Sequence, residues 1–482
     1  MFVKKNVLLM LILVPFLINA QGISDALRLS ENGIGAGARA LAMGNSYTAL
    51  SDDYSAMLFN PAGLGLVKRF ELSAGFTHNA YNNDATLFGN TTNNERNQTN
   101  FDQIGFVYPL PTIQGSLVFG FGYNKIIDFN KTIKYSGFNN GNNSMIQDLT
   151  LKGDDIPFDL GLSYPVYENN GDYAYDETKI NGKLNQYSDI IQTGSINQYT
   201  FSGSLEAARN LFVGISLNVL GGTFKQTKNY FEDDTKDIYG SDFQTNPNDN
   251  TTKNFTTFNL QDEISWDISG YNLKLGLLYL TDTNLRFGMT IKIPTTYTIK
   301  EDYYYDAYAL FGTHEHLIPN PGSSAIEYEI TTPLEFSFGT VYTFNKNLIL
   351  SGQFTFIDYS QAEFTSGLEK SRDKININIQ NSLATVFNYN LGAEYNFVPS
   401  NIRVRVGYMC NPSAYRTDDG SEYSKKYFTC GLGYLLEQAI AIDLAYVHGW
   451  WSDYGDSYST GGSTYTQDIT YDKMMMTISY RF

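Results

Sequence analysis

Through the second half of the chain, apolar and polar positions alternate with a period of two, in segments of roughly ten residues. Leu285, Phe287, Met289, Ile291 and Ile293 stand on one face, with Arg286, Gly288, Thr290 and Lys292 on the other. The same phase runs through Leu211, Val213, Ile215, Leu217 and Val219, through Ile402, Val404, Val406 and Tyr408, and through Ile440, Ile442, Leu444 and Tyr446. A tilted strand crosses a hydrocarbon core in about 9–11 residues, with apolar side chains toward lipid and polar ones toward a hydrated lumen. The pattern therefore predicts an all-β fold, a transmembrane antiparallel β-barrel that crosses the outer membrane many times. The last segment alternates as well, through Met474, Met476, Ile478 and Tyr480 to a C-terminal Phe482. A water-soluble β-sandwich, the competing fold, has no physical need to end on an exposed phenylalanine.

Turn chemistry sets the strand number. Six tight connections stand out: Pro109 to Thr112, Ala207 to Asn210, Thr281 to Asn284, Asn345 to Asn347, Val398 to Asn401, and Glu437-Gln438. Longer polar stretches separate them, including Tyr81 to Asn100, Asn229 to Gln261, Glu301 to Thr332 and Ser452 to Gly462, and these read as outer loops. Short inner turns and long outer loops are the habit of such barrels. With both ends on the periplasmic side the count is about fourteen strands, from Phe70–Phe76 to Tyr471–Phe482. An even number requires that Ile156 to Val166, strand-like in composition, stay outside the wall within one long excursion from Phe129 to Gln198.

Residues 70–482 are thus assigned to the barrel. Ahead of it, Lys4 and Lys5 precede an apolar run from Val7 to Ile18 and then Asn19-Ala20-Gln21, which reads as a signal peptide over residues 1–20. Residues 21–69 carry clusters of Gly and Ala in place of alternating bulky residues, notably Gly33 to Gly44, and close with Asn60-Pro61-Ala62-Gly63-Leu64. Small residues let a backbone pack closely, and Asn-Pro followed by Gly sets a rigid turn. Those properties suit a plug folded into the lumen.

Composition narrows the function. Aromatic residues make up 15%, with 37 Tyr, 32 Phe and 42 Gly, as a strand-rich membrane wall demands. The formal net charge of −17 opposes nucleic-acid binding. Cys410 and Cys430 lack any CxxC spacing or neighbouring histidine, so no metal site is expected, although one bridge between them is open. The glycine run follows no strand and lacks Gly-Lys-Ser/Thr, which argues against a nucleotide loop. The four histidines, His78, His314, His316 and His448, have no spacing that ties one to a nucleophile, so no enzyme and no cofactor are expected.

The order of signal peptide, Ala/Gly-rich segment, Asp52-Asp53 and Asn60-Pro61-Ala62-Gly63-Leu64 resembles the FadL/TodX group of hydrophobic-compound transporters. The resemblance implies a fourteen-stranded barrel with an N-terminal hatch, and a hydrophobic small-molecule ligand such as a long-chain fatty acid. It implies capture by outer loops, an apolar lumen site, hatch gating, and lateral exit through a kinked third strand. The gating role carries onto Asn60, Pro61, Ala62 and Gly63. The stretch Gly37 to Gly44 departs from the classical members toward secretion-associated barrels of the PorV kind, which dock a partner protein, and that is the alternative function. Outer-membrane lipid and the barrel assembly machinery, which reads C-terminal patterns like that at Phe482, are the implied partners.

Two further sets of candidates follow. On the third strand, Ile113 to Ile127, Gly120 and Gly122 face inward, and glycine in a strand marks either a kink or a close backbone approach. A carboxylate ligand needs a cation in the lumen, and inner-face Lys274, Arg286, Lys292, Arg403 and Arg405 are available, unless lumen acids such as Glu394 and Asp443 take them.

Overall fold

A computed structural model describes residues 22–345, 347–458 and 462–482; the expected leader lies outside them. The wall is a closed, antiparallel, fourteen-stranded barrel. Its strands in chain order are Glu71–Leu87, Asn90–Leu110, Leu117–Asp128 continued by Lys131–Phe138, Asn185–Ala208, Leu211–Asp233, Phe255–Leu280, Leu285–Lys292 continued by Thr296–Phe311, Gly322–Thr331 continued by Glu335–Phe344, Leu348–Asp358, Thr385–Phe397, Ile402–Asn411, Lys425–Leu436, Ile440–Asp456 and Thr464–Arg481. The first and last strands close the ring, in register from Glu71 with Arg481 to Thr86 with Thr466. Phe482 completes the seam: its N–H donates to the Phe70 carbonyl at 3.0 Å, and the two rings lie 4.7 Å apart.

The phase read from the sequence is the phase of the wall. Met289, Ile291, Ile293, Val404, Val406, Met474, Met476 and Ile478 face outward and are exposed, while Arg405 and Met475 on the opposite phase are buried. All six tight turns join consecutive strands. Ile156–Val166 stays out of the wall. It holds a one-turn helix, Ile156–Asp159, and a short strand, Tyr164–Tyr167, that pairs only with Tyr173–Glu177.

The outer loops differ from expectation. Much of Tyr81 to Asn100, Asn229 to Gln261, Glu301 to Thr332 and Ser452 to Gly462 is strand, and the first hairpin runs on to a tight turn between Leu87 and Asn90. The sixth strand reaches 26 residues, more than twice what a crossing takes. Beyond the bilayer the backbone ladder continues through Asn-, Thr- and Tyr-rich sequence, where neither face needs to be apolar and no alternation shows. The excursion after the third strand packs Met145, Ile146, Leu149 and Ile156 against Phe255, Phe258 and Phe311 of these extensions, forming an outer cap.

The lumen is filled by the N-terminal segment. It comprises helices α1 (Ile23–Ser30), α2 (Ala38–Ala42) and α3 (Ala56–Phe59) and a 3-10 turn, Pro61–Leu66. None of the described helices is long and apolar enough to cross a membrane.

Candidate functional site

Asn60 caps the 3-10 turn: its Oδ1 accepts from the Ala62 N–H at 3.1 Å, and Pro61 occupies the first helical position, where an N–H would go unused. Its amide nitrogen donates to the carbonyls of Thr48 at 2.8 Å and of Leu277, on the sixth wall strand, at 3.0 Å. Ser204 of the fourth strand donates to the Ala62 carbonyl at 2.9 Å. The motif residues Asn60 to Gly63 are all buried, so the turn is bonded at once to plug and wall.

The wall accepts the plug through glycine. A Cβ on Gly214 would lie 2.4 Å from the Ala62 nitrogen, one on Gly276 2.1 Å from Asn60 Oδ1, one on Gly288 2.2 Å from the Thr48 carbonyl, and one on Gly407 2.2 Å from the Gly44 nitrogen. These glycines pair across strands, Gly214 with Gly276, Gly288 with Gly339, and Gly392 with Gly407. The lower plug thus sits in a belt from which Cβ atoms are missing. Gly44 itself has a φ of +60°, a left-handed turn at the point of contact.

Gly120 and Gly122 belong to the same belt, which corrects the expected kink. The third strand stays laddered at both, to Val107 and Gly105 on one side and to Ser202 and Thr200 on the other. Added Cβ atoms would meet Met57 Sδ at 2.6 Å and Tyr54 Oη at 2.1 Å. The interruption lies further on, where the register shifts between Lys125 and Ile127 and the ladder to the second strand ends at Asn124. There the plug backbone comes close, for a Cβ on Gly33 would lie 2.0 Å from the Ile126 carbonyl.

The inner cations are largely taken. Arg405, with a fully buried side chain, pairs with Glu394 and Asp443, each at 2.6 Å. Arg39 of α2 joins the same Glu394 at 3.0 Å and Asp52 at 2.5 Å, and Arg286 reaches Asp52 at 3.3 Å. Lys292 pairs with Glu335 at 2.6 Å, and Lys274 donates to the Leu58 carbonyl. Of the five inner-face cations, Arg286, Lys292 and Arg405 are therefore committed to acids of the protein and Lys274 to a backbone carbonyl. Arg403 has no acid within 4 Å among the described residues and borders a polar cleft of about 10 Å³, room for roughly one water. Periodicity pointed to the wall cations; it had no means of finding Arg39, which reaches them from the plug.

Above this base the lumen changes character. The α1 residues Ala26 and Leu29 join Phe224, Trp266, Ile268, Tyr297 and Ile299 of the wall, with Ile375 and Ile379 from helix Arg372–Ser382 of an outer loop, in one apolar cluster. Past α1, Glu31 pairs with Lys425 at 2.5 Å, and Asn32 donates to Glu335 at 2.8 Å.

A closed barrel with its N-terminus plugged into a glycine belt by an Asn-Pro-Ala-Gly turn is a specific architecture. The sequence profile of the outer membrane protein transport protein family (OMPP1/FadL/TodX) matches residues 16–482. The chain belongs to that family. Solved structures agree on the fold of this FadL/TodX-family barrel. It is similar to the Pseudomonas putida toluene transporter TodX, at 13% identity and a TM-score of 0.54, covering 94% of this chain and 100% of the other. A Pseudomonas aeruginosa FadL homologue gives 11% identity and a TM-score of 0.57 over 94% and 99%, and the Ralstonia pickettii toluene transporter TbuX 17% and 0.50 over 93% and 99%. No curated protein matches the sequence. The chain is an outer-membrane barrel of a transport family.

Proposed function

We propose that this FadL/TodX-family barrel takes up hydrophobic compounds, long-chain fatty acids or similar molecules, through its outer mouth and the upper lumen, with the plug as the gate. The observation that carries the reading is the apolar cluster that α1 occupies above the charged plug base. An apolar solute leaving water for such a lining gains about 25 cal/mol per Å² of buried surface, whereas the base offers it only ion pairs. Three solved relatives named as a toluene transporter or a FadL homologue share the fold and support the same class of cargo.

In this reading Asn60, Pro61, Ala62 and Gly63 are the fixed point about which the plug moves, since they bond to the fourth and sixth strands together. The strand ending at Phe482 is the segment presented to the barrel assembly machinery. Uptake and binding of a labelled long-chain fatty acid and of toluene by the purified barrel in liposomes test the proposal, with Asn60→Ala as the comparison. The native chain should bind and conduct at least one of them, and the mutant should bind without conducting. Failure of the native chain to bind any hydrophobic ligand would overturn it.

A further inference from the structure

Arg28 projects from α1 into the upper lumen and rests against two aromatic faces of the wall. Its guanidinium carbon stands 4.4 Å from the centroid of Phe224 and 5.2 Å from that of Trp266, and the two rings are themselves 4.7 Å apart. Both rings are buried, at 1% exposure. Behind them Glu301, 2% exposed, accepts hydrogen bonds from Trp266 Nε1 and from the Tyr328 hydroxyl, each at 2.8 Å. The wall therefore presents π-faces backed by a carboxylate, both of which attract a cation.

The anion that accompanies Arg28 is Asp25 of the same helix, at 2.5 Å. Burial pushes the Asp25 carboxyl up from the usual carboxylate range; Arg28 pulls it back, and the charge of Glu301 adds to the rise. The Asp25 charge is thus held at this end of the lumen by its pairing with Arg28. An acidic head brought here without a cation of its own would face Glu301 in a desolvated site, a costly arrangement.

We propose that the Phe224–Trp266–Glu301 seat, which Arg28 fills in this structure, is a recognition site for the cationic head of an amphiphilic cargo, an alkyl or aryl ammonium. This rests on the transport reading and narrows its hydrophobic cargo to cationic amphiphiles, in preference to the fatty acids named there. Arg28 acts as a built-in stand-in: the cargo's ammonium replaces the guanidinium on the rings while its apolar tail takes the place of α1 side chains such as Ala26 and Leu29. No covalent step is involved.

The test uses the full chain in nanodiscs and three probes of equal tail, octyltrimethylammonium, octanol and octanoate, with partition into empty discs subtracted. The ammonium should bind about tenfold tighter than octanol, and octanoate weakest. Trp266→Leu and Phe224→Leu, which keep apolar bulk and lose the π-face, should erase the preference for ammonium over octanol. Arg28→Ala should raise the affinity for the ammonium several-fold, which a purely structural Arg28 would not do. Octanol or octanoate binding as tightly as the ammonium, or octanoate binding that Lys425→Ala abolishes, would overturn the cationic seat and leave the transport reading standing. Binding of none of the three would overturn both.

Discussion

Between Gly37 and Leu66 the plug meets the wall through backbone packed on glycine and through ion pairs whose charges are matched on both sides. Just upstream, α1 meets the same wall through side chains: an apolar face, Arg28 on two rings, and Glu31 on Lys425. A backbone seated where no Cβ fits has one position, because neither side can rotate out of the way. Side chains on an apolar lining have many near-equal positions, and a hydrophobic solute offers the lining the same contacts. The difference divides the plug into a lower part anchored through its backbone and an upper part held by side chains, the division that the proposed gate with a fixed hinge needs.

The largest effect expected from breaking the anchored part comes from Arg405→Met. It leaves Asp443 without its partner and Glu394 with Arg39 alone, in a site where the Arg405 side chain is fully buried. Removing one member of a buried pair costs about 3–5 kcal/mol. The variant should lose that much in urea titrations of the lipid-reconstituted barrel and should expose the plug to protease. An unchanged midpoint would mean that the base is not an anchor.

Next in size is Gly214→Val, which drives a branched side chain into the backbone at Pro61 and Ala62. Overpacking costs about 1–3 kcal/mol when neighbours can adjust, and here they are main-chain atoms. We expect a displaced plug, seen as leak conductance in planar bilayers. Gly352→Ala is the control, since a Cβ there meets only Leu391 Cδ2 at 3.8 Å, and it should not leak.

The wall and the Asn60 turn were legible in the sequence for a shared reason. Alternation such as Met474 to Phe482 and turns such as Glu437-Gln438 are local, and the bilayer imposes one phase on every crossing. The Asn60-Pro61 turn is local too. The belt and the seat are not. Gly214 reads as a weak point in a strand until Ala62 is known to lie against it, and Gly120 and Gly122 read as a kink for the same lack. Nothing near Trp266 announces that Arg28 sits on its ring. The outer extensions escaped because two-residue periodicity is visible only where one face must be apolar. Conversely, Glu394, directly across from Arg405, and Asp443, two strands away, share its inner phase, so both could be matched to lumen cations by phase alone.

Acidity sharpens the comparison between the matched charges of the base and a buried carboxyl, Glu232, that ties the outer cap to the wall. Glu232 lies near the outer end of the 23-residue fifth strand, well beyond the roughly ten residues of a crossing. Its carboxylate accepts from the Met145 N–H at 2.7 Å, from Gln186 at 2.8 Å and from the Tyr230 hydroxyl at 3.0 Å, with Tyr458 bonded to the same Gln186. Burial pushes the carboxyl up to about 7, the hydrogen bonds opposing. A raised value means that the folded cap prefers the protonated acid, so its stability is full below the ordinary carboxylate range and declines as pH rises through about 7. Protease cleavage between Asn139 and Asn181 should therefore quicken as pH rises from the ordinary carboxylate range to about 7, level off above it, and lose that dependence in Glu232→Gln, while the lower plug shows no such transition. A pH-independent rate in the native chain would remove Glu232 from this role.

The smallest effect is the most discriminating for the hinge. The Glu31–Lys425 pair is about one-third exposed on both sides, and pairs of that kind contribute about 0–1 kcal/mol. Lys425→Ala should therefore leave global stability within error yet speed hydrogen exchange at α1 amides by up to about fivefold, an increase that salt reproduces in the native chain by screening the pair. Amides from Gly37 to Leu66 should not respond, because none of their contacts with the wall passes through Lys425. If exchange rose equally along the whole segment, α1 and the lower plug would open as one body. The hinge would then lie below Leu66, where the chain enters the first strand.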